Sequence, residues 1–293
     1  MPTIRDLRKK IKAIQNTKKI TRAMKMVAAA KLRRVQDRML NFRPYAIRME
    51  SVLSDLARVA EREIHPLFAL RPRKTVEVLV ITSDRGLCGA FNTNILKAVS
   101  NYIDTLKKEG IELSLSVVGR KARDYFRRRN IPMRKITVGI SGKVTYGNAQ
   151  EIASDLTELY TNETIDEVIV IYNEFKSLIA QKVVITKLLP IVSLEPEERA
   201  QEPSLSADFL YEPSMAGIYT SLLPKHLEIQ VYRALLESSA AEEAARMNAM
   251  ENASKNCEEL IAKVTLMTNK IRQANITKEL MDIVGGVEAL KVK

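Results

Sequence analysis

The sequence holds few of the residue types from which metal centres, disulfide frameworks and aromatic platforms are built. Among 293 residues there are two cysteines, Cys88 and Cys257, neither in a CxxC motif, and two isolated histidines, His65 and His226. This sparse set argues against structural disulfides and a metal site, and we expect no cofactor. Tryptophan is absent, and no apolar run reaches the length of about 18 residues that a membrane helix needs. With no apolar signal core at the N-terminus, we expect a cytosolic chain.

The sequence also lacks the short motifs that carry most enzyme chemistry. It contains no GxGxxG, GxxxxGK[ST], GxSxG or HExxH pattern. The loop at residues 82–89 follows a predicted strand, where an α/β fold can bind phosphate, but we interpret it as a tight structural turn. The carboxylate pairs Glu242-Glu243 and Glu258-Glu259 lie in predicted helices, and we expect them on solvated faces. We predict no catalytic site; the alternative is an enzyme with a ligand at residues 84–89.

Glycine and proline are missing from a long stretch near the C-terminus, residues 225–284. The stretch is rich in helix-favouring residues, and an unbroken helix of this length would be about 90 Å long. Because helices of globular domains average about 11–12 residues, this one needs a partner helix or an enclosing protein. A heptad of apolar residues favours a coiled coil. Its predicted seam is Cys257, Leu260, Val264, Met267, Ile271 and Ala274.

A second stretch without glycine or proline, residues 3–43, predicts another long helix at the N-terminus. Its apolar stripe is Ile4, Leu7, Ile11, Ile14, Ile20, Met24, Val27, Val35, Met39 and Phe42. The heptad alternation of three and four is interrupted by an extra step of three at positions 14, 17, 20 and 24. This spacing predicts a stammer, which overwinds a coiled coil locally. The stripe continues to residue 60, but Pro44 is expected to kink or break the helix. We expect the two terminal helices to pair in antiparallel fashion.

Positive charge is concentrated in the first fifty residues. They contain fifteen lysines and arginines against Asp6, Asp37 and Glu50, and this surplus equals the net charge of +12 of the whole chain. A basic helix seeks an acidic partner, which can be nucleic acid, anionic lipid or an acidic protein surface. A nucleic-acid-binding coiled coil is therefore an alternative interpretation. Its weakness is that Phe42 is the one aromatic residue before Pro44, too few for a base-stacking platform.

The middle of the chain has the sequence pattern of an α/β layer, in which strands and helices alternate. Valine- and isoleucine-rich runs predict strands at 76–82, 113–118, 167–172 and 182–188, and helical patterns lie at 92–108, 120–129 and 148–160. The last two strands are expected to be antiparallel. The predicted fold is a Rossmann-like α/β insert on a long antiparallel coiled coil formed by the N- and C-terminal helices. The predicted domains are a helix at 1–60, the insert at 74–192, a linker at 193–213 and a helix at 214–293.

Three segments make the chain resemble the gamma subunits of F-type ATP synthases, in the bacterial form. They are QNTKKITRAMKMVA at 15–28, SDRGLCG at 83–89 and RQANITKELMDIVGG at 272–286, with weaker matches at 211–213 and 244–247. They occur in the family's order across essentially the whole chain. One departure is Val287, which follows Gly286 where the family usually has alanine.

The resemblance implies a rotor shaft that couples the turning of a membrane ring of c subunits to ATP synthesis or hydrolysis in a ring of three alpha and three beta subunits. It implies contacts with epsilon and the c-ring through the α/β domain, no catalytic site in this chain, and a peripheral position on the cytoplasmic face of the bacterial inner membrane. No nucleic acid is expected as a partner, and the membrane is met only through the c-ring. The residues implied in contact with the alpha/beta ring are Arg22, Met24, Lys25, Arg272, Gln273, Thr277 and Glu279.

Overall fold

The computed structural model describes residues 3–59, 65–191 and 215–291. Two helices dominate it: α1 spans Ile4–Val59 and α5 spans Met215–Lys291. Between them lie β1 (Thr75–Ile81), α2 (Phe91–Lys108), β2 (Glu112–Val118), α3 (Arg120–Arg127), β3 (Lys135–Thr137), α4 (Tyr146–Thr161), β4 (Glu167–Phe175) and β5 (Gln181–Leu189). A short 3₁₀ turn, Pro66–Phe68, precedes β1. The predicted linker and the motif at 211–213 lie outside the described residues.

The strands form one mixed sheet in the order β3-β2-β1-β4-β5. Strands β1 to β4 are parallel, while β5 pairs antiparallel with β4, which confirms the predicted antiparallel pair. The central strand β1 is buried on both faces, as a parallel strand between helical layers must be. Its alternate residues enter different cores: Leu79 and Ile81 face one, and Val76, Val78 and Val80 face the other.

The short edge strand β3 was not predicted. It has three residues, Lys135, Ile136 and Thr137, none of them buried. A run this short carries no measurable alternation of apolar and polar residues, so the sequence gives little signal for it. The other predicted strands and helices of the insert are present; their ends lie within two residues of the prediction, except that β4 extends three residues further, to Phe175.

Contacts divide the chain into two units. The rod unit comprises Met1–Val27 and Met247–Lys293, and the sheet unit comprises Ala28–Arg246. Both long helices run through the boundary, so each contributes one segment to each unit. The predicted fold class, a mixed-sheet insert between long terminal helices, is confirmed.

Of the predicted kink or break at Pro44, the break was wrong, because α1 continues through Pro44 as one helix. Proline removes one backbone donor and crowds the preceding turn, but Pro44 lies on an exposed face of the helix. On the opposite face, Leu32, Val35, Met49 and Leu53 are buried in the core of the sheet unit. Tertiary packing on both sides of the proline therefore holds the helix continuous.

The buried His226 on α5 predicts a pH-dependent stability. Burial lowers its pKa from 6.5 to about 4, and its Nδ1 has no hydrogen-bond partner. The unfolded chain therefore takes up a proton before the folded chain does, and stability falls as the pH drops from about 7 toward 4. We expect this histidine to account for about 2 kcal/mol of stability lost between pH 7.5 and pH 5. Urea unfolding at both pH values measures the loss.

His226→Leu should remove that part of the pH dependence. His65→Asn is the comparison, since the Nδ1 of His65 accepts a hydrogen bond from the Leu67 amide that asparagine can also accept. Burial lowers the pKa of His65 as well, but less than that of His226, so this variant should remove a smaller part of the pH dependence. Equal pH slopes in His226→Leu and the parent chain would contradict the prediction.

Candidate functional site: the surfaces of the paired-helix rod

Three side-chain contacts set the direction and alignment of the two helices in the rod unit. Lys18 pairs with Glu258 at 2.7 Å, and the hydroxyls of Thr21 and Ser254 lie 2.7 Å apart. One turn further on, Lys25 pairs with Glu251. Residue numbers rise along α1 while those of the partners fall along α5, so the pairing is antiparallel, as expected.

The seam of α1 runs without a stammer. The seam positions are Ile4, Leu7, Ile11, Ile14, Lys18, Thr21 and Lys25, which alternate steps of three and four, and Met24 is half-buried beside them. The prediction failed because it followed apolar residues alone and assigned Ile20 to the seam, whereas Ile20 is 60% exposed. Polar residues can fill seam positions here because their polar ends find partners on α5 or in the helix backbone, as when Thr21 donates to the Lys18 carbonyl at 3.0 Å.

The seam of α5 also differs from the predicted one. Leu260 and Met267 were predicted in it, but each is 47% exposed. The observed seam consists of Met250, Ser254, Cys257, Ile261, Val264, Thr268 and Ile271. Thr268 can be buried because its hydroxyl donates to the Val264 carbonyl at 2.8 Å. The apolar heptad therefore had the right period but was one position off at Leu260 and Met267, and its last member, Ala274, is exposed.

The polar seam leaves large apolar side chains on the outside of the rod. On α1 they are Ile20, Met26 and Val27. On α5 they are Leu260, Leu266 and Met267. Beyond Ile271 the seam has ended and residues 272–287 are all exposed, among them the large apolar side chains of Ile276, Leu280, Met281, Ile283, Val284 and Val287. Contiguous exposed apolar surface of this kind marks a surface for another protein. Periodicity could have found it, since uninterrupted alternation of four and three from Leu7 places Lys18 and Thr21 inward and Ile20 outward.

The seven implied contact residues fall into two groups in the structure. Arg22 is exposed, Met24 is half-buried beside the seam, and Lys25 is held by Glu251. The C-terminal residues Arg272, Gln273, Thr277 and Glu279 are all exposed on α5. The contact of all seven residues with the alpha/beta ring stays a prediction. Of the two cations in the first group, Arg22 is the more exposed, since Lys25 is held by Glu251.

The ion pairs across the rod are exposed. A hydrogen bond from Lys25 and its charge lower the pKa of Glu251, and Lys18 does the same for Glu258. Exposed pairs are screened by solvent and contribute little to stability. These pairs determine which residues face each other more than they stabilise the helix pair. They also mean that Lys18 and Lys25 are neutralised by acids of the chain itself, while other basic residues of α1 remain available to a partner.

A carboxylate in the loop after β1 binds backbone amides of two other loops. Asp84, just beyond β1, accepts hydrogen bonds from the backbone amides of Arg120 (3.1 Å), Gly139 (2.9 Å) and Ser141 (3.2 Å). Gly119 lets α3 begin this close, since a Cβ there would lie 2.3 Å from the backbone oxygen of the residue after β1. Asp84 therefore ties the loop after β1 to the start of α3 and to the loop after β3.

The acids Glu242 and Glu243 are buried, which corrects the expectation of a solvated face. Their exposed fractions are 4% and 2%. Arg246 pairs with both, at 2.5 Å and 2.8 Å, and the Ser141 hydroxyl donates to Glu242 at 2.6 Å. Burial raises the pKa of Glu242. Buried carboxylates persist only with such partners. Arg246 lies one turn away on the same helix, but Ser141 comes from a distant part of the sequence.

Comparison with known proteins places this architecture in one family. A family model described as ATP synthase matches residues 3–290. The ATP synthase gamma chain of Anaeromyxobacter sp. (strain K) is 48% identical over 99% of this chain and 100% of its own length. The gamma chain of Pelotomaculum thermopropionicum is 45% identical with the same coverage.

Solved structures agree with the fold. The central stalk and c-ring structure of the Tetrahymena thermophila mitochondrial ATP synthase contains a chain that matches with a TM-score of 0.60 and 30% identity, covering 80% of this chain and 99% of that one. A chain of the Euglena gracilis mitochondrial ATP synthase matches with a TM-score of 0.65 and 23% identity, covering 98% and 94%. The second likeness supports the fold alone.

The revised seam of α5 can be tested by paired truncations. The double variant Ile261→Ala/Val264→Ala removes packing inside the rod and should lower the free energy of unfolding by about 2–4 kcal/mol. The double variant Leu260→Ala/Met267→Ala is the matched control and should change it by less than about 1 kcal/mol. Urea unfolding followed by helical circular dichroism measures both. If the control pair were the more damaging, the seam would lie where the apolar heptad placed it.

Proposed function

Since the chain belongs to the ATP synthase gamma chain family, we propose that it is the central rotor shaft that couples rotation of a c-ring to ATP synthesis and hydrolysis in an alpha/beta ring. The observation that carries the proposal is the antiparallel rod whose polar seam leaves apolar and basic side chains outside. An ordinary core helix buries its apolar side chains, but this rod exposes them along both helices. A ring of subunits that encloses the rod would cover them.

The rod acts by offering different side chains to different subunits of the ring. A shaft with one basic helix and one mixed helix is asymmetric, so identical subunits around it meet different surfaces. Each contact biases a subunit toward one of its conformations, and turning the shaft moves that bias to the next subunit. Exposed ion pairs between the rod and the ring would be individually weak. Weak contacts suit a shaft whose contacts break and re-form during every turn. Through these contacts the shaft would also regulate the ATPase activity of the ring.

The proposed contacts on the ring are made by two sets of rod residues. Arg22 presents the open positive charge of the first helix to an acidic surface, with Met24 and Lys25 beside it. Arg272, Gln273, Thr277 and Glu279 lie on the exposed surface of α5. Ile20, Met26 and Val27 add apolar area next to Arg22.

The sheet unit would be the foot of the shaft, in contact with epsilon and the c-ring. Within the described residues, no helix is both long and apolar enough to cross a bilayer. The chain would reach the membrane only through the c-ring, as a peripheral component on the cytoplasmic face of a bacterial inner membrane. Catalysis would lie in the alpha/beta ring and not in this chain. The alternative of a nucleic-acid-binding coiled coil finds no support in the relatives.

Reconstitution tests the proposal. The purified chain is mixed with alpha and beta subunits of the same organism, and the products are analysed by size exclusion with light scattering and by ATPase assay. We expect one copy per three alpha and three beta subunits, with ATPase activity above that of the ring alone. A chain that elutes by itself while alpha and beta assemble normally would overturn the rotor function, and salt-dependent DNA binding would then favour the alternative.

Charge reversal at Arg22 tests the acidic-surface contact. Arg22→Glu should weaken assembly with the ring about five-fold, the equivalent of about 1 kcal/mol for an exposed pair. The stability of the isolated chain should change by less than about 1 kcal/mol, because Arg22 lies outside the seam and its charge acts on the exposed Glu258 through solvent. Lys97→Glu, an equal charge change on the exposed face of α2, is the control. Equal affinities of the two variants would remove Arg22 from the contact.

A further inference from the structure

In the sheet unit, α1 exposes large apolar side chains on the side that faces away from the core. They are Leu40, Tyr45, Ile47 and Val52, with exposed fractions of 63%, 47%, 43% and 41%. With about 100° of rotation per residue, all four lie within one sector of about 160° around the helix. The buried residues of the same stretch, such as Leu32, lie outside that sector and join the core of the unit. We call this sector, within residues 33–52, the outer face of α1.

Arginines lie among the apolar side chains of the outer face. Arg33, Arg34 and Arg48 are exposed and fall within the same sector, and none of them forms an ion pair with a described residue. Between residues 33 and 52 all five basic residues are arginine, whereas residues 1–27 contain six lysines and three arginines. The guanidinium group is planar and weakly hydrated, and it can bind a carboxylate through two hydrogen bonds. It therefore suits charge pairs that become buried between two proteins.

The composition of the outer face differs from that of a solvated helix in the same unit. The exposed residues of α2 are Thr93, Asn94, Lys97, Asn101, Asp104, Thr105, Lys107 and Lys108. None of these is a large apolar residue. Protein interfaces are enriched in arginine and tyrosine and depleted in lysine and glutamate relative to the rest of the surface. The outer face of α1 has this composition, and its apolar side chains adjoin one another, so it has the chemistry of a contact surface.

The positions of the arginines indicate which kind of partner fits. A helix that lies on a membrane keeps its basic residues on a polar face, apart from the apolar face that enters the lipid. Around α1, Arg33 and Arg48 lie about 20° and 80° from Leu40, between Leu40 and Tyr45. Lipid would therefore have to bury these guanidinium groups without partners. A protein surface can bury them, because its carboxylates pair with them. The complementary surface has an apolar centre with carboxylates beside it.

We propose that the outer face of α1 binds an acidic surface of the epsilon subunit. The inference rests on the proposed rotor function, which puts epsilon and the c-ring at the foot of the shaft. The face extends about 28 Å along the helix. A ring coaxial with the shaft would meet the end of the foot, whereas a subunit that lies beside the foot can cover this length. Epsilon would then turn with the shaft through a lasting contact, unlike the contacts of the rod that break in every turn.

Calorimetric titration of the purified chain with epsilon of the same organism tests the apolar part of the contact. Leu40→Gln/Ile47→Gln replaces two exposed apolar side chains with a polar residue that still favours a helix. We expect the dissociation constant to rise about ten-fold or more, because apolar area is lost from the middle of the contact. Leu178→Gln/Ile179→Gln is the matched control, in the turn between β4 and β5 where both side chains are exposed. It should bind epsilon like the parent chain.

Charge reversal tests the arginines. Arg33→Glu/Arg48→Glu should weaken epsilon binding about ten-fold or more and make the affinity less dependent on salt, since attraction to carboxylates is replaced by repulsion. Lys97→Glu/Lys108→Glu makes the same change in net charge on the exposed face of α2. Its smaller loss of affinity measures the general effect of net charge. Circular dichroism and urea unfolding should show that all four variants fold like the parent chain, since every substituted side chain is exposed.

The outcomes separate the epsilon contact from the rotor function. Equal affinities of the parent chain, the α1 variants and their controls would overturn the contact. If the α1 variants bound epsilon normally but lost a c-ring, the alpha/beta ring or a second copy of the chain, another occupant would hold the face and epsilon would be the wrong assignment. A parent chain that assembles with alpha and beta but does not bind epsilon would overturn this inference alone. A parent chain that does neither would overturn the proposed function.

Discussion

The structure depends on the pairing of two helices that cannot bury a core alone. α1 and α5 contain 56 and 77 residues, far beyond what a small domain needs. In the rod unit each helix covers only one stripe of the other, and the stripe itself is partly polar. In the sheet unit the same two helices are covered by the α/β layer as well. One pair of helices therefore meets two different environments along its length, and the side chains change accordingly.

Polar residues in the rod seam have a consequence for the outer surface. Because Lys18, Thr21 and Lys25 take seam positions, apolar neighbours such as Ile20 and Val27 point outward. The rod thereby gives up internal apolar packing and gains a surface that another protein can cover. Weak, exposed ion pairs inside the rod and open apolar groups outside suit a shaft that is completed by its surroundings.

The sheet unit uses its buried charges in the opposite way. Asp84 binds the backbone amides at the start of α3 and after β3, and Glu242 is satisfied from both Ser141 and Arg246. Through Ser141, the loop before α4 is joined to α5. The buried charges of this unit therefore connect its loops and helices to one another.

The sequence by itself determined the long helices, their antiparallel pairing and most strands of the insert, because composition and periodicity are local properties that survive any packing. Its three family motifs also identified the family. Only the tertiary structure decided which heptad positions face inward, since Thr21 and Thr268 enter the seam through hydrogen bonds that hydropathy does not register. It also kept α1 continuous through Pro44 by packing on the opposite face. It also decided that Glu242 and Glu243 are buried. Their partners include Ser141 and Lys31, which are distant in sequence and reach these acids only in the folded chain.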